Sequence, residues 1–121
     1  MIVAGFGFRA GANLVSLERA LEGACAGLPP IAALAAPCDK APQLKALADR
    51  LGLPLLAIDA ERLRAASTIT RSAASLAARG TGSVAEAAAL AACGPAARLL
   101  APRHVSSDRM ATCAIAEGVQ P

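Results

Sequence analysis

Two short runs in this chain put glycines next to groups that bind anions. The first is Gly5-Phe6-Gly7-Phe8-Arg9-Ala10-Gly11, directly after the apolar Ile2-Val3-Ala4. Its Gly5-x-Gly7-x-x-Ala10 spacing matches a permissive dinucleotide fingerprint, in which glycines allow a tight turn and let a phosphate reach a helix N-terminus. An NAD-type site also needs a ribose-binding acid about 20 residues further on, and that stretch offers only Glu22, inside the expected first helix. A plain structural turn and a general anion site are the other readings. Arg9 favours the anion site, because a guanidinium pairs bidentately with a carboxylate. Gly5, Gly7, Arg9 and Gly11 are therefore candidate ligand-binding residues.

The second run, Gly80-Thr81-Gly82-Ser83, exposes backbone N–H groups where a helix begins, an arrangement that holds anions. Ser83 and Glu86 also make an S-x-x-E capping box, so a capped helix without a ligand is the alternative to a site at Gly80, Gly82 and Ser83. No lysine follows the glycines, which excludes a P-loop. Asp39-Lys40 stands past the second expected strand, at the edge where open α/β sheets collect ligands. Lys40 is either a charge partner for that ligand or a solvated loop lysine. His104, beside Arg103, is either a general base or an exposed turn residue. No nucleophile elbow, H-E-x-x-H or close carboxylate pair accompanies it. The residues thus support ligand binding better than catalysis, with catalytic residues unassigned and no cofactor expected.

The elements that position these residues alternate. Ile2–Ala4 predicts a strand and the glycine run a loop. Asn13 then caps a helix with Leu14, Leu17, Leu21, Ala24 and Cys25 on its apolar side. Ile31–Ala35 is the second strand. Pro42 opens a helix that Gly52 stops, and Leu53–Ile58 is the third strand. Residues 59–65 predict a short turn or helix, 70–78 a longer helix, and Val84–Cys93 a helix behind the capping box. Ala97–Ala101 and Met110–Ala116 predict a terminal hairpin around a polar turn containing His104, Ser106, Ser107 and Asp108. The expected fold class is a single α/β domain over residues 1–121, three-layered α/β/α, with a mixed, mainly parallel sheet and a C-terminal antiparallel hairpin.

Composition narrows the partners. With 121 residues the chain is long enough for one domain. With no Trp or Tyr and only two Phe, it lacks the stacking platforms of single-strand nucleic-acid binders. Its formal charge of +3 comes from scattered residues, so a nucleic-acid stripe is not indicated. The four cysteines have no C-x-x-C pair, and one histidine completes no zinc signature, so no metal site is expected and the thiols read as reduced and mostly buried. Met1 runs straight into an apolar strand without the basic segment of a secretory signal, and Gly27, Pro29 and Pro30 break the one long uncharged stretch. The expectation is a cytoplasmic protein without a membrane span.

The ordered motifs also resemble a known family, that of CobE and the C-terminal domain of CbiG in cobalamin (vitamin B12) biosynthesis. Gly5–Gly11 resembles that family's G-x-G-C-R-x-G opening. Asp39-Lys40-Ala41, the run Gly80-Thr81-Gly82-Ser83-Val84-Ala85-Glu86-Ala87-Ala88-Ala89-Leu90 and the closing Met110–Ala116 follow in the family order. Phe8 stands where the family often has cysteine, Ala10 where it often has arginine, and Arg103 where lysine is common, so no thiol chemistry is expected at position 8. The resemblance implies an aerobic-route protein that binds a corrinoid or precorrin intermediate and works with other cobalamin biosynthetic enzymes. A role in a ring-modifying step is implied through CbiG, which is associated with opening the lactone ring of a cobalt-precorrin. Corrin precursors carry a rim of acetate and propionate carboxylates, which suits helix N-termini with Arg9 and Lys40. A nucleotide-binding, NAD-type oxidoreductase domain is the alternative.

Overall fold

The first strand, β1 (Ile2–Phe8), runs through the two glycines that the sequence assigns to a loop. It does so because both pair across the sheet, Gly5 with Ala114 and Gly7 with Thr112 on the last strand. The computed structural model describes residues 1–66, 68, 76 and 83–118. The expected helix at 70–78, apart from Leu76, and Gly80 and Gly82 lie outside the described residues. After β1 come α1 (Leu14–Cys25), β2 (Ala33–Pro37), α2 (Ala41–Leu51), β3 (Leu55–Ile58) and α3 (Ala60–Ala65), followed by α4 (Val84–Cys93), β4 (Arg98–Val105) and β5 (Ala111–Glu117).

The strand order is β3-β2-β1-β5-β4. β1, β2 and β3 are parallel, and β5 pairs antiparallel with both β1 and β4, so the sheet is mixed and ends in the expected hairpin. One face carries α1 and α2, where Ala4, Phe6, Leu34 and Ile115 meet Leu17, Leu21, Leu44 and Leu47. The other carries α3 and α4, where Val3, Ala35 and Ile58 meet Leu63, Ala87 and Ala88. The domain is therefore a three-layer α/β/α sandwich.

Local chemistry sets the helix ends. The Asn13 side chain accepts the Ser16 N–H at 2.9 Å, and Asp59 accepts the Arg62 N–H at 2.8 Å, each satisfying an orphan donor of a first turn. α2 has proline in its first turn and ends at Gly52, whose φ of 69° is the left-handed cap that glycine adopts without strain. β2 begins and ends two residues later than expected. Its Ala33–Pro37 run is buried on both faces, as a central parallel strand between helical layers must be.

Gly5 allows a helix backbone to lie directly on a strand. A Cβ there would lie 2.2 Å from the Ala85 carbonyl oxygen and 2.4 Å from the Ala89 nitrogen, so α4 rests its backbone directly on β1. The alanines of α4 serve the same approach: Ala85, Ala87, Ala88 and Ala89 are all fully buried.

The hairpin departs from expectation at β4, which continues to Val105 and takes His104 and Arg103 out of the turn. His104 is a strand residue opposite Cys113, and its ring fills the space over Gly23 of α1. β4 is an edge strand with two register shifts, and Pro102 falls within the second, where a missing N–H is tolerated. The Gly118 N–H donates to the Met1 carbonyl at 2.8 Å, closing the N-terminal end of β1 against the end of β5. Of the thiols only Cys113 is buried; Cys38 is exposed and Cys25 and Cys93 are half-buried, against the expectation of mostly buried cysteines.

Candidate functional site

The parallel strands end at Phe8, Pro37 and Ile58, and their following loops emerge on one edge. Because Phe8 pairs with Ala111, the turn between β4 and β5 comes to that edge as well. Three contacts join the loops there. Lys40 Nζ stands 5.4 Å from the centroid of the Phe8 ring, within cation–π range. Gln43 Nε2 donates to the Ala10 carbonyl at 3.3 Å. The Arg9 N–H donates to the Met110 carbonyl at 2.9 Å.

Of the sequence candidates, Arg9 and Lys40 thus sit on adjoining loops. Arg9 and Asp39 are exposed and Lys40 half-buried. Neither Arg9 nor Lys40 has a carboxylate partner among the described residues. Gly11 is exposed, and a Cβ there would meet Met110 Cε at 3.3 Å. Gly7 approaches the first turn of α4, since a Cβ would stand 3.2 Å from Val84 Cβ and 3.0 Å from Thr112 Oγ1. Gly5 is covered by α4, and the packing of helix on strand accounts for its glycine. Ser83 is buried, and its hydroxyl accepts the Glu86 N–H at 3.3 Å, so it caps α4. Gly80 and Gly82 lie outside the described residues.

The Glu86 carboxylate has a use that local spacing does not reveal. It is fully buried, and Oε2 accepts the Arg103 N–H at 2.9 Å, fastening the bulged part of β4 to the first turn of α4.

Sequence reasoning missed Asp108. Its Oδ1 accepts the Ser106 hydroxyl at 2.5 Å and the Met110 N–H at 3.1 Å, and its other oxygen accepts the Ser16 hydroxyl in the first turn of α1. Hydrogen bonds from Ser106, then Ser16, then the Met110 amide lower its pKa to about 2, so the carboxylate is ionised at neutral pH. The only local signal is an acidic residue in a serine-rich turn, and its partner Ser16 is 92 residues away.

This carboxylate corrects the dinucleotide reading. A pyrophosphate would have to sit at the N-terminus of α1, where Asn13 and ionised Asp108 already serve the first turn. The fingerprint also needs its glycines in a turn, whereas Gly5 and Gly7 are paired strand residues. β1 is flanked by antiparallel β5 in place of the second parallel half of a dinucleotide fold. The anion-binding role expected for helix N-termini loses α1 for the same reason.

The edge therefore offers cations beside an apolar ring. A cavity of about 540 Å³ opens elsewhere, between α3 and the C-terminal half of α4, lined by Arg62, Ala66, Leu90, Ala91 and Gly94 among others and by no candidate residue. Among the described residues no group of three or more His, Cys, Asp or Glu could hold a metal ion, and no helix is long and apolar enough to cross a membrane.

Comparison with known proteins agrees with the motif order. The family described as cobalamin synthesis G C-terminus matches residues 2–116. A crystal structure of CobE, a protein from the cobalamin (vitamin B12) biosynthetic pathway, is 30% identical with a TM-score of 0.88, covering 100% of this chain and 92% of that one. The cobalamin biosynthesis protein chiG from Agrobacterium tumefaciens str. C58 is 36% identical with a TM-score of 0.75, covering 99% of this chain and 100% of that one. A cobalamin biosynthesis protein G homolog from Sulfolobus solfataricus shares the fold, with 21% identity and a TM-score of 0.74; the match covers 95% of this chain but 36% of that longer one. No curated protein sequence matches the chain. With the family match spanning nearly all of its length, the chain belongs to the CobE/CbiG C-terminal family of cobalamin biosynthesis proteins.

Proposed function

We propose that this chain serves the aerobic cobalamin pathway by binding a corrinoid or precorrin intermediate in the cytoplasm, at the edge where Arg9 and Lys40 lie, and that it assists a pathway enzyme in a ring-modifying step. The observation that carries the reading is Lys40 Nζ at 5.4 Å from the Phe8 ring. It sets an amine that has no carboxylate partner among the described residues against an apolar ring, with Arg9 on the adjoining loop. A corrin precursor has the matching chemistry, with apolar macrocycle faces and a rim of carboxylates that arginine and lysine pair with. Phe8 and Val84 are half-buried at this edge and would cover part of a macrocycle face. Gly7, Gly11, Asp39 and the Gly80–Ser83 run would complete the surroundings.

Titration with hydrogenobyrinic acid and, separately, with NAD(P) tests the reading. The expected result is tetrapyrrole binding without nucleotide binding, and tetrapyrrole absorbance accompanying the protein when it is coexpressed with the aerobic pathway enzymes. Nucleotide affinity without tetrapyrrole affinity would overturn it. Copurification of a biosynthetic methyltransferase with no small molecule bound would replace it with an accessory-subunit role.

A further inference from the structure

We propose that Arg109 is a second guanidinium of this edge, held in place for a ligand carboxylate by the turn that Asp108 organises; this rests on the corrinoid-binding reading. In that turn the Ser106 N–H donates to the Ala111 carbonyl and the Arg109 N–H to the Ser106 carbonyl, both at 2.8 Å. The chain leaves it with Arg109 at φ 61°, the only non-glycine residue with positive φ among those described. Hairpins of this kind normally place glycine or asparagine at the left-handed position, where a larger side chain is strained. A strained residue persists only where its surroundings over-determine it, and an observed outlier of this sort points toward function.

Asp108 supplies the surroundings. One oxygen accepts the Ser106 hydroxyl at 2.5 Å and the Met110 amide at 3.1 Å, and the other accepts the Ser16 hydroxyl of α1. Both oxygens are thus engaged by hydroxyl and amide donors, and the acid next to Arg109 in sequence does not pair with it. Arg109 is exposed and has no carboxylate partner among the described residues.

The residue after it completes the case. The Met110 carbonyl accepts the Arg9 N–H at 2.9 Å, and Met110 Cε packs at Gly11. Arg9 and Arg109 therefore sit on two segments stitched together by a hydrogen bond, with Lys40 on the next loop. Two guanidinium forks and an amine along one edge suit a ligand with several carboxylates better than one with a single anionic group.

The test is Arg109→Gly, which removes the fork and leaves a residue suited to the left-handed backbone. Its thermal midpoint should hold or rise. Its affinity for hydrogenobyrinic acid should fall by about tenfold to a hundredfold, as expected for a lost charge-assisted bond. The salt dependence of binding should flatten, and Arg109→Lys should recover part of the affinity. Against the fully methylated ester of the same probe, wild type and Arg109→Gly should bind alike. If wild type binds hydrogenobyrinic acid and Arg109→Gly binds it equally, the Arg109 proposal is overturned and the corrinoid reading stands. A lowered thermal midpoint would assign Arg109 to folding and also overturn the proposal. If wild type does not bind, the reading fails and takes the proposal with it.

Discussion

The Phe8 ring beneath Lys40 gives that amine a fixed station, whereas Arg9 is fastened through its backbone, its N–H donating to Met110 and its carbonyl accepting from Ala12. Removing the Arg9 side chain should therefore disturb the ligand and not the fold. Arg9→Ala is expected to weaken hydrogenobyrinic acid binding by roughly 1–3 kcal/mol while the melting midpoint stays put; a variant that melts early, or binds as wild type does, would count against the site. The cysteines separate by environment in the same way. Burial pushes the Cys113 thiol well above its ordinary pKa and raises Cys93 less, and Cys38 stands exposed just past β2. Because the thiolate is the reacting form, a thiol-disulfide reagent should modify Cys38 first in native protein and reach Cys113 only on unfolding. Denatured, unreduced protein should titrate with all four thiols free.

Between elements, contact distance decides what a substitution does. A methyl group at Gly5 meets two backbone atoms of α4, which cannot swing aside as a side chain can. Gly5→Ala should cost about 1–3 kcal/mol or more by overpacking. Ser83→Ala removes one capping bond from the same helix and should cost about 0.5–2 kcal/mol. Denaturant unfolding of both variants gives the comparison, and a Gly5→Ala protein as stable as wild type would mean that α4 shifts freely. Ser83 and Glu86 are three residues apart, so the start of α4 was legible, as were the cap at Asn13 and the stop at Gly52. Local sequence assigns the glycines of β1 to a loop because their pairing partners lie on the last strand, and glycine by itself favours a turn. Local sequence puts His104 in the turn for a similar reason, since the bulges that lengthen β4 depend on β5 and on Glu86. At the candidate site, Arg9 and Lys40 could be named from residue type and loop position, whereas Asp108 and Arg109 matter through a contact with α1 that no local pattern encodes.

Across the whole molecule, Asp108 fastens the C-terminal hairpin to the first helix over 92 residues of chain. Its pKa of about 2 lies below the ~3.9 of an unfolded aspartate. Its contribution is therefore fully present above about pH 4 and is lost as pH falls through about 2. Between those limits the thermal midpoint of wild type should fall more steeply than that of Asp108→Asn, and parallel curves would show that the carboxylate does not hold the hairpin. A second long-range closure lies at the opposite end of the sheet. Met1 and Gly118 are joined by a hydrogen bond of 2.8 Å, so the described backbone comes close to forming a ring. β1 separates that junction from the loops of Arg9 and Lys40 by its seven residues, roughly 20 Å. A protein or affinity handle fused at Met1 would accordingly hang from the side remote from the cations. A circular permutant, spliced across that junction and reopened at the exposed Gly27 bend, would thread the same sheet in a different order and leave both arginines where they are.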